Sequence, residues 1–527
     1  MESKQEVFKK EKKEKLSPEQ YHAKIEKSLK YSISDGAFYS IMQGITSSFL
    51  VPYAILLQAS TIVLGILGTF PELLGALLQF FTKKLFLVSY SRKKIIVILA
   101  FLQSLLWLPL LFLPKFQLLH PSYVLLFFLC LIALCSAIIS PLWNGLMLDL
   151  VPEHHRGSYF GKRNIVIAVT AFLATIIGGL ILNQFTTENK FLGFSILFII
   201  AAFSRIISTL FLSKMYEPEN INTSNFSFKQ DLQTFISFIT HIRKESFGRY
   251  VLFISFFKFA VFIASPFFAV YMLKVLHFSY LQFALITLAS VVTSVIGMKI
   301  FGKYGDTSGS KNVLFICGFL IPLIPVLWIF TKNFYILFLI EAFSGFVWAG
   351  FNLSTSNYLY DCSTKNDILD HVSYFNLFHT LFLLLGSLVG GLLIEYLPFN
   401  SLERNILTVI IISGILRLLT AIIFIPTLKE MRLIEIPLEK GFFAKFVAIK
   451  HVQGFIPETI GHYDKRTQKK MLDSRLLLHE KRHLFFNQEN IQQETKGSSL
   501  NYSNYKDEKE NYAKKSIQYL LKSVRKK

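Results

Sequence analysis

Apolar stretches of about twenty residues, the length a helix needs to cross roughly 30 Å of hydrocarbon, alternate with short polar turns through most of the chain. Six such windows cover residues 33–59, 61–82, 93–114, 121–148, 163–185 and 191–213. A polar segment, 214–247, follows, and six more windows cover 248–273, 280–303, 311–331, 333–357, 371–396 and 404–427. The pattern predicts an all-α membrane protein: twelve transmembrane helices in two pseudo-symmetric six-helix bundles, 33–213 and 248–427. A cytoplasmic segment, 1–32, precedes them, the loop 214–247 joins them, and a basic tail, 428–527, follows.

Composition agrees with lipid as the solvent, since 52% of the 527 residues are hydrophobic and only 17% are charged, a poor match to water-facing surfaces. A formal charge of +21 would suggest nucleic acid in a soluble chain. Here Lys and Arg gather in the tails and in alternate turns, where they set topology instead, so no nucleic-acid partner is expected. One side carries Lys83, Lys84, Arg92, Lys93, Lys94, Arg156, Lys162, Arg163, Lys214, Arg243, Lys244, Lys303 and Lys311. The other has little more than Lys115, Lys190, Lys274, Lys332 and Arg404. The positive-inside rule then places both termini and the central loop in the cytosol, in a multi-pass protein of the cell membrane. The first thirty residues are too charged for a secretory signal, which needs an apolar centre, and the sequons at Asn222 and Asn225 fall in the cytoplasmic loop. The tail reads either as carrying an amphipathic basic helix on anionic lipid, at AKKSIQYLLKSVRKK, or as a disordered solubilising segment.

Two features invite a chemical reading and do not sustain it. The four cysteines, Cys130, Cys135, Cys317 and Cys362, lack paired spacing and read as packing residues, not as a disulfide framework or zinc site. The turn VPEHHRGSYFGKRN places His154 and His155 side by side, without the H-E-x-x-H spacing of a metal helix. Tyr159 also stands where an HHxxxD acyl-transfer pattern has Asp. Neither a metal, a catalytic group nor a cofactor is expected, and no phosphate-binding loop of an ATPase is present.

The turn GKYGDTSGSK between spans eight and nine is more specific. It resembles the loop signature of the major facilitator superfamily (Gly, three residues, Asp, two residues, Gly, Arg or Ser, Lys or Arg), with Gly302, Asp306, Gly309 and Lys311 in register. The matching turn of the first half, KLFLVSYSRKK, keeps only its basic end, with Val88 in the Asp position and Lys84 in the first Gly position. The resemblance spans 33–427 and is nearest to uncharacterised bacterial and archaeal permeases of that superfamily, in the blocks SDGAFYSIMQG, MLDLVPEHHRGSYFG, SPFFAVYMLKVL and SGFVWAGFNLSTSNYLYD. It implies a cytoplasmic gate of Asp149, Arg156, Arg163, Gly302, Asp306, Gly309, Lys311 and Asp361. In that gate Asp149 pairs with Arg92 or Lys93, Asp361 pairs with Lys311, and Asp306 lies against the start of span five.

Charges within the spans form a second constellation. Glu72, Arg205, Lys258, Glu341 and Arg417 each cost about 2.5–3.5 kcal/mol to place at mid-membrane, so such residues face a cavity. For Arg205, Lys258 and Arg417, snorkelling toward an interface is the equal alternative. Asp35, Tyr39 and Gln43 recur every four residues and form one stripe of span one, which lines the central cavity in the family. Asn352 and Trp348 share a helix face with Glu341, Trp348 being either cavity wall or core. Asn376 and His379 form a polar pair on span eleven. Gly178, Gly179, Gly386, Gly390 and Gly391 stand at helix-contact spacing.

The expected activity is transport of a small solute by alternating access, facilitative or secondary active, with no enzymatic step. Proton or cation coupling, where present, falls to Glu72, Glu341 or Asp35, and the protein is expected to act as a monomer in the bilayer. The reading from another class is a non-transporting sensor or scaffold of the same fold that signals through its basic tail.

Overall fold

The computed structural model describes residues 18–82, 91–115, 120–152, 156–186, 188–218, 228–363 and 367–431, all within one unit, Met1–Pro437. Every regular element among them is helical. The first half contains α1 (Pro18–Leu56), α2 (Thr61–Thr82), α3 (Arg92–Leu106), α4 (Pro121–Leu150), α5 (Arg156–Gln184) and α6 (Lys190–Lys214). A connecting helix, α7 (Phe228–His241), leads to the second half. There α8 (Ser246–Phe262), α9 (Phe267–Val270) and a π-helical turn (Tyr271–Val275) make one segment, and α10 (Tyr280–Ser308) the next. They are followed by α11 (Ser310–Leu320) with α12 (Leu323–Ile329), then α13 (Phe334–Asp361), α14 (Ile368–Tyr396) and α15 (Leu402–Phe424). Pro266 and Pro322 stand immediately before α9 and α12, where the missing N–H breaks each ladder.

Among the described residues, eleven helical segments are long and apolar enough to cross a membrane. They correspond to spans two to twelve, and α1 makes the count consistent with twelve. Its polar stripe keeps α1 below the hydropathy of the others. α1 also starts earlier than the apolar window, at Pro18. Its added turns are built from helix-forming Glu, Lys and Ala, with Lys30 paired to Glu26 at 2.8 Å. Ile25 and Leu29 pack on the first half's core.

In the first half α1 packs on α5 and α6, α2 on α4, and α3 on α4 and α6. In the second, α8 packs on α14 and α15, and α10 and α11 on α13. Gly386 and Gly390 let α14 lie directly on the carbonyls of Phe259 in α8 and of Ile263 at its C-terminal end. The halves meet where α2 crosses α14 and α5 crosses α10: the second span of one half against the fifth of the other, in both directions. These crossings lie at one end of the bundle. Thr69 Oγ1 and Ser387 Oγ are 2.8 Å apart, Thr61 donates to the Gly391 carbonyl at 3.3 Å, and Gly179 faces Leu281 and Ala284. Phe194 meets Tyr280 edge-on at 5.6 Å. All of these residues lie in the half of their helix nearer the turns at 57–60, 185–189, 276–279 and 397–401, opposite the basic turns.

The signature turn between α10 and α11 rests on Gly309, whose φ of 88° and ψ of 156° lie in a region essentially closed to side-chain-bearing residues. Gly309→Ala is expected to cost about 1–3 kcal/mol, read as a lower midpoint of thermal unfolding. An unchanged midpoint would contradict that strain.

Candidate functional site

Beneath the crossings lies a cavity of about 670 Å³. Its walls carry Asp35, Tyr39 and Gln43 of α1, Glu72 and Gln79 of α2, Arg205 of α6, and Asn376 and Thr380 of α14, and they run toward the basic-turn end at Asn144 and Arg163. The stripe read from the spacing of Asp35, Tyr39 and Gln43 therefore does face the cavity. Tyr39 also donates to Gln43 Oε1 at 3.4 Å. At about 1.5 Å per residue, Glu72 stands about 16 Å along α2 from the closed end, near mid-membrane. Asp35 and Arg163 stand about 30 Å along their helices, at the basic-turn end.

A buried charge network holds that end of the wall. Ser208 Oγ donates to Asp35 Oδ1 at 2.7 Å, and Arg163 NH2 is 3.7 Å from Asp35 Oδ2. Arg205 donates to Ser208 Oγ and to Gln103 Oε1, both at 2.8 Å. Each guanidinium also covers an aromatic face: Arg205 lies 4.9 Å from the Tyr39 ring centroid and Arg163 lies 4.3 Å from that of Trp143. Arg163 further donates to the Ser32 carbonyl at 3.2 Å. Asp35, Arg163 and Arg205 are all buried. Such a cluster persists because two guanidinium groups share one carboxylate and hydrogen bonds satisfy all three groups.

Two sequence readings change here. Arg163, expected at the gate with the other basic turn residues, stands at that end but pairs with Asp35 of α1, inside the cavity wall. Arg205 does not snorkel, because Gln103 and Ser208 satisfy it inside the bundle. Gln103 and Ser208 were not legible as site residues, being neutral side chains in apolar helices.

The remaining intramembrane charges border a second cavity of about 490 Å³ within the second half. Lys258 of α8, Glu341, Trp348 and Asn352 of α13, and Arg417 of α15 line it. Lys258 Nζ sits 4.7 Å from the Trp348 ring centroid, so Trp348 is cavity wall and Lys258 stays inside. Arg417 is buried as well. Lys258 and Glu72 attract one another across the interface between the halves. His379 parts company with Asn376: it stacks on Phe375 at 5.6 Å while Asn376 faces the central cavity.

At the basic-turn end, Arg92 NH2 is 2.6 Å from Asp149 Oδ2. A residue not singled out in the sequence, Glu217, completes this cluster. It accepts from the Arg92 backbone N–H at 2.7 Å and from Ser91 Oγ, so it caps the start of α3. The second half repeats the device with Glu430, which accepts from the Lys311 N–H at 3.0 Å at the start of α11. Asp361 accepts from Ser310 Oγ at 3.1 Å, so the neighbour of Lys311 supplies that brace. The signal was available: an acidic residue follows the last span of each half. Asp306 is exposed at the basic-turn end of α10, far from the crossing of α5 and α10 at Gly179, and Gly302 lies in the same last turns. The backbone of Arg156 opens α5. Its side chain, His154, His155, Lys84, Val88, Asn222, Asn225 and the tail from residue 432 lie outside the described residues. The four cysteines are free thiols, and no cluster of three metal-ligating side chains occurs among the described residues.

The family model for the Major Facilitator Superfamily matches residues 36–358 and 250–456. No curated protein matches the sequence. Among solved structures, a mutant of the nucleoside transporter NupG superposes with a TM-score of 0.61 at 16% identity, over 76% of this chain and 100% of that one. A bacterial homologue of the human lysosomal transporter Spinster, inward-facing and occupied, gives 0.58 at 14%, over 76% and 96%. A D-xylose–proton symporter gives 0.56 at 13%, over 78% and 98%. At these identities the likeness concerns the fold.

Proposed function

Because this chain belongs to the major facilitator superfamily, a family of membrane transporters, we propose that it carries a small solute by alternating access to the central cavity. The observation that supports this most is a cavity carrying charged and amide side chains in an apolar wall, sealed at one end by helix crossings between the halves and lined toward the other end by Asn144 and Arg163. In this reading the basic turns face the cytosol, and the conformation described is open on that side. The braces at Asp149 and Asp361, already formed here, hold the ends of the helices that, with Asp306 and the turn 302–311, make up the gate on that side. Neighbours in the fold carry a nucleoside and a pentose with a proton, and amides at Gln43, Gln79, Asn144 and Asn376 suit a polar solute of that size. Asp35 is committed to two guanidinium groups and Glu341 lines the second cavity, which leaves Glu72, exposed in the central cavity, as the carboxylate for ion coupling.

Uptake by proteoliposomes tests both parts. Solute should accumulate with saturation, and Glu72→Gln, which keeps size but removes titration, should flatten the pH dependence of uptake. Saturable uptake with an unchanged pH profile would remove Glu72 from the coupling role. Failure of intact protein to move nucleosides, sugars, organic anions or amines would overturn the transport reading.

A further inference from the structure

The cavity inside the second half is lined by two cations and one carboxylate, and none of the three has an ion-pair partner within 4.0 Å among the described residues. Arg417, 2% exposed, donates only to neutral oxygens, Ser413 Oγ at 3.1 Å and the Val261 carbonyl at 3.3 Å. A buried guanidinium without a counter-charge is expensive. Lys258 lies close enough to Arg417 for their charges to repel. Lys258 is itself attracted to Glu72 of the first half, and a second cation beside Arg417 adds to the need for a counter-charge. Trp328 adds a second donor on the same wall: it is 1% exposed, and its indole N–H has no acceptor. Ser265, Ser290 and Ser344 contribute hydroxyls. The walls otherwise offer aromatic faces, Phe262, Phe268 and Trp348, and the volume falls within the roughly 300–1,000 Å³ usual for small-molecule sites.

We infer that this cavity binds the carboxylate of a small aromatic organic anion, with Arg417 as its anchor and Lys258 as its second cation. The assignment rests on the transport reading only for what happens after binding, and binding is measured without flux. Glu341, facing the same cavity, then acts against the anion. The charged groups around it are Lys258 from α8 and Arg417 from α15, while α10 and α12 present Ser290, Ser294 and Trp328. Affinity should therefore rise, or stay level, when Glu341 is neutral.

The test uses purified full-length protein in detergent and follows tryptophan fluorescence and thermal stability with benzoate, benzamide, benzylamine and inorganic phosphate. Benzoate should bind, while benzamide, of the same shape without charge, and benzylamine should bind at least about tenfold more weakly. Arg417→Gln should lose at least about tenfold in benzoate affinity, Arg417→Lys should lose less, and Glu341→Gln should lose none. Should Arg417→Gln fail to fold, Trp328→Phe, which removes only the N–H donor, should still weaken benzoate several-fold. Equal binding of benzamide or benzylamine, unchanged benzoate affinity in Arg417→Gln, or no benzoate binding at all would overturn the assignment. Preference for phosphate over benzoate would overturn the carboxylate part of it. Saturable uptake of a neutral solute alongside any of these results would leave the transport reading standing, and benzoate binding without flux would sink transport alone.

Discussion

Asp35→Ala should abolish solute uptake and destabilise the protein by about 3–5 kcal/mol, the range for removing one partner of a buried ion pair. The carboxylate is the counter-charge for Arg163 at 3.7 Å and the acceptor for Ser208 at 2.7 Å, and Ser208 in turn accepts from Arg205. Without it two buried guanidinium groups face each other across the wall formed by α1, α5 and α6. Asp35→Asn retains a hydrogen-bonding oxygen for Ser208 and should cost less. Combining Asp35→Ala with Arg163→Ala should recover part of the loss, because the stranded charge is removed with its partner. Thermal unfolding of the four proteins reads the cycle. Strict additivity of the two single changes would show that the pair does not interact.

Gly65→Val should shift the protein away from the conformation described here. A Cβ on Gly65 falls 2.6 Å from the Ser387 carbonyl oxygen, and a backbone atom in a helix cannot swing aside as the tip of a side chain can. Overpacking of this kind costs about 1–3 kcal/mol, and the strain disappears when α2 and α14 separate at this end. The balance of the two states should move by roughly 5–150-fold. One turn away, a Cβ on Gly68 meets nothing within 4 Å, so Gly68→Val is the matched control. A single cysteine at Thr69, buried in the crossing, on a background lacking the four native cysteines, should react faster with an impermeant thiol reagent in Gly65→Val than in Gly68→Val. Equal rates would mean that the crossing is not a gate.

The architecture was legible because a bilayer imposes one rule on every span: about twenty apolar residues between polar ends. Span one obeyed that rule least, since it exchanges hydropathy for the stripe of Asp35, Tyr39 and Gln43, and the same stripe announced the cavity. Arg163 stands at the basic-turn end, where its sequence position put it, but its partner Asp35 lies on α1, and no spacing within α5 announces a contact to another helix. Lys258 and Glu72 stood out as charges in apolar windows, but their attraction across the two halves depends on how the bundles face each other. Neutral partners such as Gln103 and Ser208 carry no local signal. Their role exists only once Arg205 and Asp35 are brought to them. Glu217 and Glu430 looked like ordinary turn charges until the starts of α3 and α11 were seen to need a capping carboxylate.

The central claim is that the halves alternate, closing one end as the other opens. Spin labels paired across α2 and α14 at Ile62 and Leu392, and across α5 and α10 at Lys162 and Lys303, measure both ends of one molecule by electron–electron distance spectroscopy. Two populations are expected, one short at the first pair and long at the second, and one reversed, with Gly65→Val enriching the reversed state. A single distance at each pair in both proteins, or distances that lengthen and shorten together at the two ends, would contradict alternating access.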